Sequence, residues 1–488
     1  MTAQDSPSQR RSPGGGALAL VPGGIPLQPP YRLAPELAWI DGAFRRHRVI
    51  TVEADGRLGE ISSSSGTESS PRESLPQLIS LPGRALLPGF VNAHSHAFQR
   101  GLRGWGESFP AGAGSFWSWR EAMYGLVERL DEDAFTTLCH RAFQEMRAAG
   151  ITTVGEFHYF RHGPSVLDIE SPSGADPYDY DELVADAASA AGIRLVLLAA
   201  CYLAGGPGRP LERPQRRFRS TSPAAYWRSL DRLQERLHRP HQHLGAVVHS
   251  LRAVDPAAAA EVRSEAKRRG LVLHLHLEEQ IQEIEELQAA TGRRPMDLVL
   301  ERLDPGPDLT AVHCTHTPPE ALQAFAETGA AVCLCPLTEA NLGDGISRVD
   351  SFLKAGGLLC LGTDSNARIS MLEEMRWTEY GQRLGGQRRG ALADAQGRVS
   401  NPLLQAATEG GARALGIDAG RLAPGAWADL ALVSLDHPQL LGASGSPAEA
   451  GDAPPPRLED ALVFGAGDGV FDATAVAGSW RLHGPGSP

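Results

Sequence analysis

The sequence predicts a (β/α)8 barrel, an α/β fold, carrying a small β-sandwich domain built from both chain ends. Three observations point to it: eight apolar runs of strand length between residues 86 and 363, helix-length segments between them, and short strand-like pieces that return only at the two ends.

The runs fall at 86–91, 152–157, 194–200, 245–249, 271–275, 309–313, 330–335 and 358–362. Several are apolar at consecutive positions, as strands covered on both faces should be. The segments between them show helix periodicity. In 131–149, Phe135, Leu138, Cys139, Ala142, Phe143 and Met146 recur at helical spacing before Ala-Ala-Gly stops the element. Residues 179–191, 256–269 and 318–327 behave alike, and 402–415 reads as a further helix. Eight such repeats point to a closed barrel. A doubly wound open sheet has the same alternation, and periodicity alone leaves it open.

At the ends, 37–40 and 47–52 are strand-like and a Ser-rich stretch at 61–71 reads as a loop. Short strands resume after Gly420, interrupted by a Pro/Gly/Ser/Ala-rich loop at 442–456. The expected organisation is a disordered tail 1–28, a first part of the small domain 29–85, the barrel 86–417 and a second part of the small domain 418–488.

A chain of 488 residues, 42% hydrophobic and 21% charged, can bury a large core, and its 54 Gly and 36 Pro ask for many loops. The net charge of −12 with both signs interspersed gives no footprint for nucleic acid. No apolar run approaches the ~18 residues of a membrane span. Arg10-Arg11 precedes an apolar piece too short and interrupted for an export signal, so a disordered N-terminal tail is expected. Cys139, Cys201, Cys314, Cys333, Cys335 and Cys360 lie mostly in apolar runs without Cys-x-x-Cys spacing, which reads as reduced core thiols of a cytoplasmic protein.

His94 and His96 stand two apart where the first run ends, and alternation along a strand sends both imidazoles to the same face. Later runs also end in polar residues: His249, the pair His274 and His276, His313, and then Asp364 in Leu-Gly-Thr-Asp-Ser-Asn. In a barrel these strand ends converge on one mouth. A site for one divalent metal ion needs about four protein ligands and an exchangeable water, and neutral imidazoles with one carboxylate suit zinc or ferrous iron. His94, His96, His276 and Asp364 satisfy this, while His274, deeper on the same face, reads as a packed interior residue.

Pro-Gly-Phe-Val-Asn-Ala-His-Ser-His, His276, His313, the Thr-Asp-Ser at Asp364 and the later Gly-Arg-Leu-Ala-Pro-Gly-Ala-Trp-Ala-Asp-Leu resemble the amidohydrolase superfamily. No Lys ends a middle strand, so the one-metal, deaminase-like branch is the nearer match. From about residue 86 to 435 further segments resemble the formimidoylglutamate deiminase family. These include His-Ser-His-Ala-Phe-Gln-Arg, Ser-Phe-Trp-Ser-Trp-Arg-Glu-Ala-Met-Tyr, Glu-Phe-His-Tyr, His-Ser-Leu-Arg-Ala-Val, Thr-Glu-Ala-Asn-Leu-Gly-Asp-Gly-Ile and Arg-Trp-Thr-Glu-Tyr-Gly-Gln-Arg-Leu.

That resemblance implies hydrolysis of N-formimidoyl-L-glutamate, a small dicarboxylate, to N-formyl-L-glutamate and ammonia, as in histidine degradation. It implies substrate contacts at Gln99, Arg120, Tyr159, His249 and Arg252, and by analogy a homodimer. Guanidinium forks at Arg120 and Arg252 independently suit two carboxylates. Trp117 and Trp119 read as loop-packing aromatics outside the site. For catalysis, Asp364 and His313 are expected to take a proton from water, and Glu279, rather than its neighbour Glu278, to deliver one to departing ammonia. Two departures from the family pattern are Asn366, where a His is usual, and 205–220, which matches only in outline. Deamination of a heterocyclic amidine such as guanine, or a non-catalytic metal-binding barrel, are the competing readings.

Overall fold

The computed structural model describes residues 28–63, 75–105, 107, 114–169, 178–239, 241–443 and 458–483. The expected N-terminal tail and most of the loops at 61–71 and 442–456 lie outside the described residues.

One sheet contains β1 (Phe90–Ser95), β2 (Ile151–His158), β3 (Arg194–Cys201), β4 (Gln242–Val248), β5 (Leu273–Leu277), β6 (Leu309–His313), β7 (Ala331–Leu334) and β8 (Leu358–Leu361). Each is parallel to the next in chain order. The Thr363 and Asp364 N–H groups donate to the His94 carbonyl at 3.0 Å, and the His96 N–H to the Asp364 carbonyl at 2.8 Å, joining last strand to first. In-order neighbours and closure make this a barrel and exclude the doubly wound sheet. Gly362 permits the closure, since a Cβ there would lie 2.7 Å from the Cβ and carbonyl oxygen of His94.

Helices cover the outside much as the periodicity predicts. Glu132–Ala148 starts at Asp131, whose side chain accepts from the Ala134 N–H at 2.9 Å, and Pro256–Arg269 starts at Asp255 in the same way. The expected 402–415 helix is Ser400–Gln405, a π-helical turn Ala406–Gly410 and Gly411–Ala414. There, a Cβ on Gly410 would meet the Leu359 carbonyl at 2.2 Å. All six cysteines are free and buried, with Cys333, Cys335 and Cys360 in one barrel-interior cluster beside Ala93 and Val312. No helix is long and apolar enough to cross a membrane among the described residues.

The apolar run at 86–91 spans two elements. Leu78–Pro88 belongs to the second sheet, three residues past the expected boundary at 85, and β1 begins at Phe90. Apolar content cannot mark a junction between two buried strands. Gly89 makes the turn, donating to the Asp429 carbonyl and passing so close to Thr152 that a Cβ would sit 2.1 Å from its hydroxyl.

The second sheet interleaves the chain ends in the order Ser479–Leu482, Phe471–Val476, Leu430–Ser434, Leu78–Pro88, Tyr31–Ile40, Arg48–Val52 and Leu58–Ser63, with Ala43–Arg45 pairing beside Tyr31–Ile40. It is one sheet rather than two packed ones. Tyr31 and Trp480 are four strands apart, ~19 Å if the sheet were flat, yet the Trp480 Nε1–H donates to the Tyr31 hydroxyl at 2.7 Å. The sheet therefore curls around a core that includes Leu33, Val52, Leu86 and Leu432. It is fastened to the barrel by Arg194, at the start of β3, whose Nε and Nη2 donate to buried Asp429 at 2.5 and 2.9 Å. Helix Leu458–Gly465 packs between the second sheet, at Ala43–Arg45, and the barrel helix Met371–Gly386, where Arg376 donates to the Val463 and Ala466 carbonyls.

Candidate active site

At the C-terminal mouth of the barrel, the Nε2 atoms of His94 and His96 each lie 3.3 Å from His276 Nε2. They lie 3.3 and 3.2 Å from Asp364 Oδ1. Ligand atoms around a tetrahedral ion with bonds of ~2.0–2.1 Å stand ~3.3–3.4 Å apart, so the four atoms fit one small divalent cation. The hydrogen bonds behind the rings agree. His96 Nδ1 meets the Phe157 carbonyl at 2.7 Å and His276 Nδ1 the His249 carbonyl at 3.1 Å. Each Nδ1 must carry the proton there, leaving bare Nε2 lone pairs facing one another, which only a cation between them stabilises. His94 makes no such bond and is held by packing, edge-on to Phe157 with ring centres 4.9 Å apart.

Burial holds the three imidazoles neutral. It lowers His94 and His276, and with the neighbouring His94 it takes His96 down to about 3. Burial alone would raise Asp364, but the hydrogen bond to His94 and the electrostatic influence of the neighbouring His94, His96 and His313 imidazoles outweigh it and hold the carboxyl low. The donor set is thus metal-ready at neutral pH.

His313 joins the group on its other side. It shares a ligand-sized cluster with His94, His276 and Asp364. Its Nε2 is 3.9 Å from Asp364 Oδ2, against 3.2–3.3 Å from the Nε2 atoms of His94 and His96 to His276 Nε2 and Asp364 Oδ1. Its Nδ1 lies 3.3 Å from Glu339 Oε1, which also accepts the Cys335 N–H at 2.9 Å. Glu279 Oε1 approaches His313 Nε2 at 3.8 Å. Burial, reinforced by Asp364 and Glu339, raises Glu279 against the pull of His313 and Arg252; Glu279, Glu339 and Asp364 raise His313 against its burial. A dication beside them favours neutral His313 and ionised carboxylates.

The choice between the two glutamates is made by the backbone. Glu278 adopts φ 52° and turns inward to Arg294 (3.2 Å) and the Met296 N–H (3.1 Å), leaving Glu279 to line the mouth. Left-handed backbone recurs there at His313, Cys314, Asp364 and Asn366, the strained geometry typical of sites where side-chain aim matters. Asn366 closes the ring: its Nδ2 donates to Ser95 Oγ (3.1 Å) and the Asp364 carbonyl (3.0 Å), and its Oδ1 accepts from Thr363 Oγ1 (2.7 Å). Asn366 thus ties together the two strand ends that carry metal donors. His274 is buried lower, its Nε2 on the Ala414 carbonyl at 3.0 Å.

One cavity joins this centre to Gln99, Arg120, Tyr159, His249 and Arg252, with His96, His276, His313, Glu279 and Asp364 in its wall. Gln99 Nε2 donates to the Tyr159 hydroxyl at 2.6 Å. Arg252 Nη1 donates to the Gly205 carbonyl at 3.1 Å, and among the described residues no carboxylate pairs with it. Trp117 and Trp119 line the cavity too, correcting their reading as loop packing; the Arg120 guanidinium lies 5.1 Å from the Trp117 ring centre. Tyr202 and Glu283, which also line the cavity, and Glu339 behind His313 were not legible as site residues. Only the segment around Glu339 offered a signal, and it gave no hint of the bond to His313.

Three histidines and an aspartate around a place for one ion, with a buried acid and a fourth histidine beside it at a barrel mouth, define a metal-dependent hydrolase. The chain belongs to the amidohydrolase family, whose model matches residues 85–481. It is 39% identical to the formimidoylglutamate deiminase of Pseudomonas aeruginosa over 92% of this chain and 94% of that one. Among solved structures it is similar to an amidohydrolase from Brucella melitensis, with TM-score 0.80 and 31% identity over 93% of this chain and 95% of that one. An adenosine deaminase from Xanthomonas campestris with bound Zn shares the fold at TM-score 0.73 and 23% identity, over 93% and 94% of the two chains.

Proposed function

We propose that the protein hydrolyses N-formimidoyl-L-glutamate to N-formyl-L-glutamate and ammonia, with zinc as its resident ion. The observation that carries this is the meeting of Arg120 and Arg252 in the cavity of the metal donors and Glu279. A half-buried guanidinium that has no carboxylate partner among the described residues, such as Arg252, calls for an anion. Two guanidiniums match the two carboxylates of an acyclic substrate, and a neutral heterocycle offers none. The 39% identity to a protein of this activity supports the same reading.

His94, His96, His276 and Asp364 would hold the ion, which when bound acidifies water toward neutral pH and polarises the substrate's C=N bond. Asp364 uses Oδ1 toward that centre and Oδ2 toward His313. The bond to Glu339 orients His313 so that its Nε2 faces Asp364 and Glu279. Asp364 and His313 take one proton from the water as it attacks and the second from the resulting hydroxyl as the C–N bond breaks, and each passes by way of Glu279, which delivers both in turn to the imino nitrogen. The water oxygen becomes the formyl oxygen and both water hydrogens leave on ammonia, so the reaction balances without a further reactant. The six buried free thiols accord with a cytoplasmic setting.

The test is product analysis by NMR on metal-loaded protein given formimidoylglutamate. Formylglutamate and ammonia in equal amounts are expected. Glutamate with formamide, from cleavage of the other C–N bond, would overturn the assignment.

A further inference from the structure

Both cavity arginines are tied to the loop that follows β3. Arg252 donates to the carbonyl of Gly205 at its beginning. Arg120 is held further along by a closed circuit of contacts. Arg120 Nε donates to the Tyr124 hydroxyl at 2.6 Å, and that hydroxyl also accepts from Gln215 Nε2 at 2.8 Å. Gln215, fully buried, accepts the Glu212 N–H at 2.8 Å through Oε1. The Glu212 carboxylate then returns to Arg120 Nη2 at 3.6 Å. The two bonds to the Tyr124 hydroxyl are buried and the one from the Glu212 N–H is partly so. The Glu212 carboxylate is the open end of the circuit: its side chain is 56% exposed, whereas that of Arg120 is 11% exposed.

We propose that Glu212 sets the affinity of the substrate site, as a resident carboxylate that occupies Arg120 until a substrate carboxylate replaces it. This rests on the reading of Arg120 as a carboxylate-binding group. The geometry suits a placeholder. The backbone of Glu212 is fixed by Gln215 while its side chain stays free to leave. The ion pair at 3.6 Å is long for a charge-assisted bond and mostly solvated, so its displacement costs little. A ligand that places a carboxylate on Arg120 must displace the resident one. Glu212 thereby lowers the affinity of every anion that docks on Arg120 by the cost of its own displacement, and a ligand that also engages Arg252 has the further contact to offset that cost.

The test is the E212Q variant of the metal-loaded enzyme, read two ways: steady-state ammonia release from formimidoylglutamate, and calorimetric binding of glutarate, a dicarboxylate with no reacting group. The expected result is a KM and a glutarate Kd each ~2–5-fold lower, the range of an exposed ion pair, with kcat changing less than KM. In an Arg120→Ala background the same substitution must have no effect on glutarate binding. Unchanged or weaker glutarate binding in E212Q overturns the proposal, as does a tightening that persists without Arg120, which would be general charge removal. Wild-type protein that binds glutarate but releases no ammonia would fault the substrate assignment and leave the Glu212 comparison standing on the calorimetry.

Discussion

Replacing Arg252 with Ala probes the substrate reading at its most exposed point. The guanidinium spends one N–H on the Gly205 carbonyl and turns the rest of its fork to the cavity without a carboxylate partner. Hydrogen bonds to a charged group contribute ~1.5–3 kcal/mol each. Allowing for the bond that water supplies in the variant, loss of one carboxylate contact costs ~2–3 kcal/mol. At 1.4 kcal/mol per tenfold, KM for formimidoylglutamate rises ~30–150-fold. The reacting carbon is gripped from the other end of the site, so kcat falls by less than ~10-fold. Arg252→Lys keeps the charge but not the fork and should recover only part of the loss. Steady-state ammonia release reads both constants, with metal content and melting temperature showing that the fold is intact. A KM within ~3-fold of wild type in R252A would mean that no carboxylate sits there.

Three further outcomes follow from the same geometry. Glu279→Gln should keep the metal and lower turnover by ~10²-fold or more, measured as kcat with bound ion counted; turnover near wild type would remove Glu279 from proton transfer. Asn366→Ala cuts the ties to Ser95 and the Asp364 carbonyl and should weaken metal affinity ~10–100-fold in chelator competition. Asp181, buried between Arg161 (2.6 Å) and His158 (3.3 Å), gives a pH signature. Burial would raise its carboxyl, but Arg161 and His158 outweigh that and bring it to about 2. The native state then binds fewer protons than the unfolded chain, whose Asp titrates near ~3.9, so this stabilisation is full above that pH and is lost as pH falls toward about 2. Asp181→Asn, which strands buried Arg161, should cost ~3–5 kcal/mol at neutral pH by denaturant titration and flatten the acid limb of stability.

Much of the site was legible because barrel strands end where chemistry happens. A polar residue closing an apolar run, as at His276, His313 and Asp364, is conspicuous in one dimension. What stayed hidden depends on paths the chain takes off the strands. Glu339 sits in the short helix Pro336–Leu342 and meets His313 only through packing across the mouth. Trp117 reaches the cavity because the helix Phe116–Arg129 lies over it. The division between Glu278 and Glu279 is one left-handed residue, and side-chain chemistry does not announce it. The fold was read on the same terms. Alternation gave the barrel repeats, but the run at 86–91 concealed a change of sheet at Gly89. Arg194, a basic residue opening an apolar strand, found its reason only when Asp429 arrived from the far end of the chain.

The most direct measurement of the central claim is kcat/KM for formimidoylglutamate beside formimidoyl-aspartate, guanine and adenosine, on one preparation with its metal counted. The account predicts one divalent ion per chain, a value for formimidoylglutamate within the ~10⁴–10⁸ M⁻¹s⁻¹ of working enzymes, and far lower values for the two heterocycles. Full metal occupancy with no turnover of either formimidoyl amino acid, or a heterocycle as the preferred substrate, would contradict it.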